Sequence, residues 1–335
     1  MARVFDHGHA RLGSITPDQA EQLVRAGLAA PSMHNTQPWR IDLEGDHRLA
    51  ISVDWERHVA IGDPDGRGLY LATGAALLNM RLAAHALGHE LIVHLRPDPD
   101  TPQLLATVEI AGPATASLED QALAQEISRR HTNRNPFRDV AVPQRIRDRI
   151  SRASEMEGAT LRKLTQHETD RTLALVRHAD RRLRDNRRYF NELGYWTGSD
   201  EDRPDGVPAS ALGPLGKGRT IPLPDLGLAV AHVERDVAEF EKSPEIYVLA
   251  TSNDDPTAWI SAGRALERAL LTASVHGVSA SFLYQPMQLP EQRARLRAMT
   301  VSSAYPQMVL RFGYGPAVAG TRRRIVSDVL RLKPG

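Results

Sequence analysis

Residues 74–88 read GAALLNMRLAAHALG, and residues 263–277 read GRALERALLTASVHG. Counted from Gly74 and from Gly263, the two stretches share Gly, Ala, Leu, Leu, Ala and Gly at the same positions. Each reads as a helix that begins and ends near glycine, with a face of small residues that lets a second helix approach closely. Each is followed by an apolar run that can enter a sheet, LIVHL in the first case and SASFLY in the second. The chain therefore reads as a duplicated unit.

A second pair of anchors supports the duplication. Thr16-Pro17-Asp18-Gln19 is a helix start, with Thr16 as N-cap, Pro17 at the first helical position and Gln19 completing a capping box. Ala20, Leu23, Val24, Gly27 and Leu28 then fall on one helical face. Val142-Pro143 opens a similar segment, with Ile146 and Ile150 on one side. Pro143 lies about twice as far from Gly263 as Pro17 does from Gly74, so the second copy carries an insertion of roughly sixty residues, placed within 184–225. Residues 198–224, GSDEDRPDGVPASALGPLGKGRTIPLP, are dense in Pro and Gly and follow Tyr189, Phe190, Tyr195 and Trp196. Such a stretch is a lid, a disordered segment or a packed excursion. Strands are expected at RLAISVD (48–54), LLATVEI (104–110), IYVLAT (246–251) and MVLRF (308–312). Few strands separated by long helices indicate an α+β fold, with helices packed around one sheet per repeat.

Composition excludes several functions. The 335 residues carry a net charge of +1, which argues against nucleic acid or a membrane surface as a bulk partner. There is no cysteine, so disulfides, zinc–thiolate sites, iron–sulfur clusters and Cys nucleophiles are absent. The N-terminal MARVFDHGHARLGS lacks an apolar signal core. The longest uncharged stretch, Ala269 to Pro290, contains His276, Gln285, Gln288 and two prolines and makes a poor membrane span. A cytoplasmic protein is expected. Lysine occurs only at Lys163, Lys217, Lys242 and Lys333, so nearly all positive charge is arginine, which grips phosphate and carboxylate bidentately.

Most short motifs fail on spacing. His89-Glu90 and His94 suggest a zinc helix, but histidines five apart lie roughly 140° around a helix and share no face, so a strand edge is the better placement. His7 and His9 read as part of a loose tail rather than a chelating pair. GPLGKGRT (213–220) departs from the phosphate-loop pattern, since Arg219 follows Gly218 and no strand precedes it. No GxGxxG occurs, and Ser32 near His34 lacks the third group of a triad. Two stretches remain. RRHTNRNPF (129–137) concentrates three arginines and a threonine hydroxyl ahead of Pro136, after a helix capped by Ser117 with Asp120 three later. It can form an anion cradle, with Arg322-Arg323-Arg324 as a second arm, or simply a solvated basic face. APSMHNTQPW (30–39) lies just past an amphipathic helix, stiffened by Pro31 and Pro38. The donors and acceptors of Asn35 and Gln37 suit a planar heterocycle, or a well-made helix-to-strand turn with Trp39 in the core.

APSMHNTQPW resembles the APSxxNxQPW signature of nitroreductase-type flavoproteins, and RRHTNRNPF resembles the Arg-Arg-Ser-x-Arg segment with which that family binds the phosphate of FMN. In ordinary members each motif occurs once per subunit, the arginine segment first, and the flavin lies between two subunits. Here DHGHARLGS stands where the first repeat would carry the arginine segment, and ASEMEGATLRK stands near where the second would carry the loop. One chain thus holds one site split between its halves, which is similar to the Acg-type branch, a tandem fusion acting as a pseudo-dimer with a single FMN. WTGSDEDRPDGVPASALGP is similar to that branch's insertion, and FGYGPAVAGTRRR to the family's C-terminal segment.

The resemblance implies an α+β fold of two repeats, residues 1–115 and 116–335, each a mixed, mainly antiparallel sheet with helices around it. It implies a monomer working as a pseudo-dimer. Arg130, His131, Thr132 and Arg134 would take the phosphate and ribityl side. Pro31, Ser32, Met33 and Asn35 would line the isoalloxazine edge, and Gln285, Pro286 and Met287 would pass backbone beside the ring. Arg322 and Arg324 would reach the phosphate. The activity implied is an FMN-dependent reductase, with NAD(P)H as donor and a nitro compound or quinone as small-molecule acceptor. The chemistry sits on the flavin, so no catalytic side chain and no metal is expected. Two alternatives stand beside it: a flavin-sequestering protein whose insertion, through Tyr195 or Trp196, closes over the ring, and a relative that has lost flavin.

Overall fold

In a computed structural model, residues 16–45, 48–199, 201–217, 221–230, 234–301 and 303–333 are described. His7, His9, the DHGHARLGS stretch and residues 218–220 of GPLGKGRT lie outside them. The first half runs α1 (Pro17–Leu28), β1 (Trp39–Glu44), β2 (Arg48–Val53), α2 (Arg67–Ala86), β3 (His89–Leu95), β4 (Leu104–Pro113) and α3 (Leu118–Glu126). The second runs α4 (Gln144–Glu155), β5 (Thr160–Lys163), α5 (Gln166–Arg184), α6 (Arg187–Trp196), four short strands β6 (Thr197–Ser199), β7 (Val207–Pro208), β8 (Leu215–Gly216) and β9 (Val237–Ala238), then β10 (Glu245–Thr251), α7 (Pro256–Val275), β11 (Ser279–Phe282), α8 (Pro290–Thr300) and β12 (Tyr305–Gly313). A last strand, β13 (Leu330–Lys333), follows a long extended segment.

The two large sheets have the same order. One reads β1-β2-β4-β3 and the other β5-β10-β12-β11, both antiparallel throughout. The first gains β13 beside β1 as its one parallel neighbour, Ile41 opposite Leu330. The chain's end therefore leaves the second sheet and joins the first. The α+β architecture of two like sheets is as the sequence indicates, and β1, which begins at Trp39 inside the APSMHNTQPW stretch, is a strand the sequence reading did not mark. His89 and His94 sit on β3, at the edge of its sheet.

Helix ends follow local chemistry. Thr16 and Gln19 form both bonds of the capping box, and Ser117 Oγ accepts from the Asp120 N–H. The repeat helices start earlier than their glycines suggest. Gly74 and Gly263 lie inside α2 and α7, where the two helices cross. A Cβ added to Gly74 would lie 2.0 Å from the Ile260 carbonyl oxygen, and one added to Gly263 would lie 2.0 Å from the Leu71 carbonyl oxygen. Leu71 and Ile260 each stand three residues before their glycine, so the contact is reciprocal, the property of an isologous interface. Each also enters the opposite core: Ile260 packs with the residues of the first sheet and Leu71 with those of the second.

The extra length of the second half lies mainly between β5 and β10, residues 164–244, where the first half has only the short β1–β2 turn. This excursion starts before residue 184, with the capped and amphipathic α5, and carries its own small core of Leu183, Tyr189, Leu193, Val207, Leu212 and Leu226. The described residues of 198–224 are largely loop, as the Pro and Gly content indicates, with Asp205, Val207, Leu212 and Ile221 buried.

Since both contacts at the crossing are with backbone, neither helix can absorb a methyl by turning a side chain. Gly74→Ala and Gly263→Ala are each expected to lower the unfolding free energy by about 3 kcal/mol in denaturant titration.

Candidate functional site

The α1–β1 connection is held in an uncommon backbone conformation. His34, Asn35 and Gln37 all have positive φ, at 49°, 59° and 51°. For a non-glycine residue this region costs roughly 1–2 kcal/mol, so three such residues persist only where the surroundings over-determine them. Those surroundings are visible. The Gln37 N–H donates to Ser32 Oγ (3.0 Å), and Asn35 Nδ2 donates to the carbonyls of Gly206 and Arg322 (both 3.0 Å). Gln37 Nε2 donates to the Pro204 carbonyl (2.9 Å), and Gln37 Oε1 accepts the Arg324 N–H (2.8 Å). The loop is thus clamped between the excursion and the C-terminal segment. Arg57 reinforces the clamp, pairing with Asp205 at 2.6 Å, and Glu192 accepts the N–H groups of Ile61 and Gly62.

The clamped loop borders two joined chambers. One is mainly apolar, about 910 Å³ with its mouth included, between Met33 and His34 of the loop, Leu71 and Ala72 of α2, Leu266 of α7, Phe282, Tyr284 and Met308 of the second sheet region, and Tyr189, Pro224 and Leu226 of the excursion. The other is polar, about 460 Å³, and is lined by Asn35, Arg130, His131, Thr321 and Arg323. Pro31, Ser32, Thr132 and Arg134 belong to both. No Asp or Glu lines either chamber among the described residues.

RRHTNRNPF becomes one wall through pairing with β11. Thr132 bridges to Ala280, the Asn133 N–H donates to the Ala280 carbonyl (2.9 Å), and buried Asn133 Nδ2 donates to the Pro316 carbonyl (2.7 Å). Arg134 lines both chambers, its guanidinium donates to the Ala211 carbonyl at 3.0 Å, and burial lowers its pKa to about 10. Arg130 and Arg323 both donate to the Ala29 carbonyl at the end of α1. Beneath them lies Glu267 of α7, 3.4 Å from Arg130 and fully buried, its pKa raised by burial against the pull of Arg130. Burial, then Arg130, lowers Arg323 to about 10. His131 is lowered to about 4 by burial and then by Arg130 and Arg323, and His34 to about 4 by burial and then by Arg134.

Of the residues singled out in the sequence, Pro31, Ser32, Met33, Asn35, Arg130, His131, Thr132, Arg134 and Gln285 meet at these chambers. Pro286, Met287, Arg322 and Arg324 do not line them. Pro286 and Met287 are buried behind Gln285. Arg322 points outward to Asp202 at 2.6 Å, and Arg324 is used by the carbonyls of Gln37, Trp39 and Asp328. The middle arginine of the triplet, Arg323, is the one that faces the polar chamber. Tyr195 and Trp196 stack under Arg203 away from both chambers, and Tyr189 is the excursion aromatic in the wall. His34, Arg323 and Tyr189 were each within a quoted stretch, but nothing in spacing alone orients them.

No protein-family model matches the chain. It is 31% identical over 336 residues to Rv3131 of Mycobacterium tuberculosis H37Rv, named as a candidate NAD(P)H nitroreductase, covering 98% of this chain and 96% of that one. The chain belongs to the nitroreductase family. A second relative in the family, Acg of the same organism and similarly named, is 27% identical over 331 residues, 95% of this chain and 97% of its own. Among solved structures, a nitroreductase of Anabaena variabilis superposes over 92% of this chain and 93% of its own with a TM-score of 0.42 and 10% identity. The FMN-dependent nitroreductase NfnB of Mycobacterium smegmatis, solved with NADPH, matches 64% of this chain and 98% of its own at a TM-score of 0.40 and 17% identity.

The depressed histidines carry a stability consequence. Between about pH 6.5 and 4 the unfolded chain binds a proton at His131 that the folded chain refuses. The contribution is therefore complete above pH 6.5 and is lost as pH falls towards 4. Urea titrations of ligand-free protein should show stability declining over that range, with a shallower decline in His131→Gln.

Proposed function

We propose that the two chambers hold FMN and that the chain is an NAD(P)H-dependent reductase of small aromatic electron acceptors, nitro compounds or quinones. The single observation that supports this most is Arg134, a half-buried guanidinium with no carboxylate partner among the described residues, which lines both the apolar slot and the arginine-lined chamber. The residues present fit such a ligand. Arg130, Arg323 and the Thr132 hydroxyl suit a phosphate. The apolar walls suit a flat ring, and buried Asn35 Oδ1 and Gln285 Oε1 have no hydrogen-bond partner among the described residues and can accept from ring or ribityl donors.

Bound FMN supplies hydride acceptance from a reduced nicotinamide and hydride donation to the acceptor. The protein's share is placement and charge. Arg134 is a fixed cation in a site of low water content, where it stabilises negative charge developing on an electron-accepting ring. Arg130 and Arg323, neutralised in part by Glu267, fix the anionic end. The walls of Met33, Leu71, Ala72 and Leu266 exclude water. No carboxylate acid or base lines the chambers among the described residues.

We infer that residues 1–115 and 116–335 act as the two subunits of an ordinary dimer within one chain, the C-terminal strand excepted. In the sequestering alternative the excursion closes over the ring; Tyr195 and Trp196 do not line the chambers, whereas Tyr189, Pro224 and Leu226 of the excursion line the apolar one. The reductase reading is retained on the naming of the relatives as NAD(P)H nitroreductases.

Two measurements test it. The purified protein should take up one FMN, and the flavin absorbance should bleach on addition of NADPH and return on addition of a quinone; persistent oxidised flavin in excess NADPH and NADH would refute the reductase assignment. Arg323→Ala should weaken FMN binding by about 2 kcal/mol, whereas Arg322→Ala should leave it within about twofold, read by fluorescence titration.

A further inference from the structure

His34 occupies a variable position of the family signature. Its backbone is left-handed, at φ 49° and ψ 24°, which turns the imidazole into the apolar chamber. The same chamber is lined by apolar Met33, Leu71, Ala72, Leu266 and Met308 and by polar Ser281, Tyr284 and Gln285, and none of the polar side chains bonds to the imidazole Nε2. Gly68 of the same lining lets Tyr284, Asp63 and Met33 pack closely, since a Cβ there would come within 3.0 Å of Tyr284 Oη and 3.1 Å of both Asp63 Oδ2 and Met33 Cε. Nε2 of His34 is shut off from solvent and has no hydrogen-bond partner among the described residues. An imidazole serving only the fold would spend that nitrogen on a carbonyl or hydroxyl, because an unpaired buried polar atom is costly.

We propose that His34 is a ligand-binding residue of the apolar chamber, whose Nε2 hydrogen-bonds to a ring nitrogen or to a carbonyl or nitro oxygen in the plane of a bound aromatic. This rests on the reading of the chamber as an FMN site. Two sources share that chemistry, the polar edge of the flavin ring and the oxygen of an acceptor stacked on it. The side chain is suited to either. Burial and the neighbouring Arg134 keep it neutral at pH 7, so it adds hydrogen-bonding capacity without a second positive charge beside Arg134. The clamped backbone holds the ring in place before a ligand arrives, which lowers the entropy lost on binding.

The test uses full-length protein with ¹⁵N-labelled histidine, the His34 signals being assigned by their loss in His34→Gln. FMN alone is added first, then 1,4-naphthoquinone to the FMN-loaded protein. A shift of the His34 Nε2 resonance with FMN identifies the flavin edge as the partner; a shift that waits for the quinone identifies the acceptor. In the same arm that shifts the signal, His34→Leu should weaken binding about tenfold, and His34→Gln, which keeps a polar side chain, by about threefold or less. Uptake of both compounds with the His34 resonance unmoved, or equal binding by His34→Leu and wild type, overturns the proposal and leaves the FMN reading intact. Failure of wild-type protein to take up FMN overturns both.

Discussion

The closeness of α2 and α7 sets the geometry of everything else. Two backbones touch at Gly74 and Gly263, with the carbonyls of Leu71 and Ile260 seated where side chains would otherwise stand. Burying backbone so tightly is tolerated because the carbonyls remain engaged within their own helices, and because Thr73, Ala75 and Ala262 beside the glycines are small. The reward is that each helix lends a side chain to the other's core, Ile260 to one and Leu71 to the other. Two sheets that would otherwise need separate stabilisation share one central pair.

The chambers follow from that crossing. Leu71, Ala72 and Leu266 lie beside the contact and form the apolar floor, while Glu267, next in sequence, supports Arg130. The floor is therefore drawn from both halves, and so are the walls: the APSMHNTQPW loop comes from the first half and the RRHTNRNPF segment from the second. Local strain in the loop at His34, Asn35 and Gln37 is offset by bonds to the excursion and the C-terminal segment, so the rigidity of the site is a property of the whole chain rather than of the loop.

Much of this was legible in sequence, for identifiable reasons. Capping at Thr16 and Ser117, the glycine-marked helix pair and the alternating strands are local signals, and local signals survive in a linear reading. The anion cradle was legible as a choice between cradle and solvated face, since arginine-rich runs support either. The run of arginines does not show its placement: β11 aligns Thr132 with Ala280, and Arg134 lies against both chambers. Of Arg322, Arg323 and Arg324, an extended segment points alternate side chains in opposite directions, and only its fixed ends determine which one faces in. β1 escaped notice because Trp39 was read as the end of a loop. The excursion's extent was underestimated because α5 carries a regular helical pattern that resembles ordinary core structure.

The last strand has a wider meaning. β12 ends in the second sheet at Gly313, β13 begins in the first at Leu330, and the intervening segment carries Thr321 and Arg323 past the polar chamber. It is a strap anchored at both ends, so its tension, and hence the aim of Arg323, depends on Leu330 to Lys333 staying zipped to β1. Trimming the tail by a few residues would leave Thr321 and Arg323 in the chain and still loosen their placement at the polar chamber. In an exchange of parts between two separate subunits, such a strap would have to find its partner by collision; within a single polypeptide it arrives already tethered.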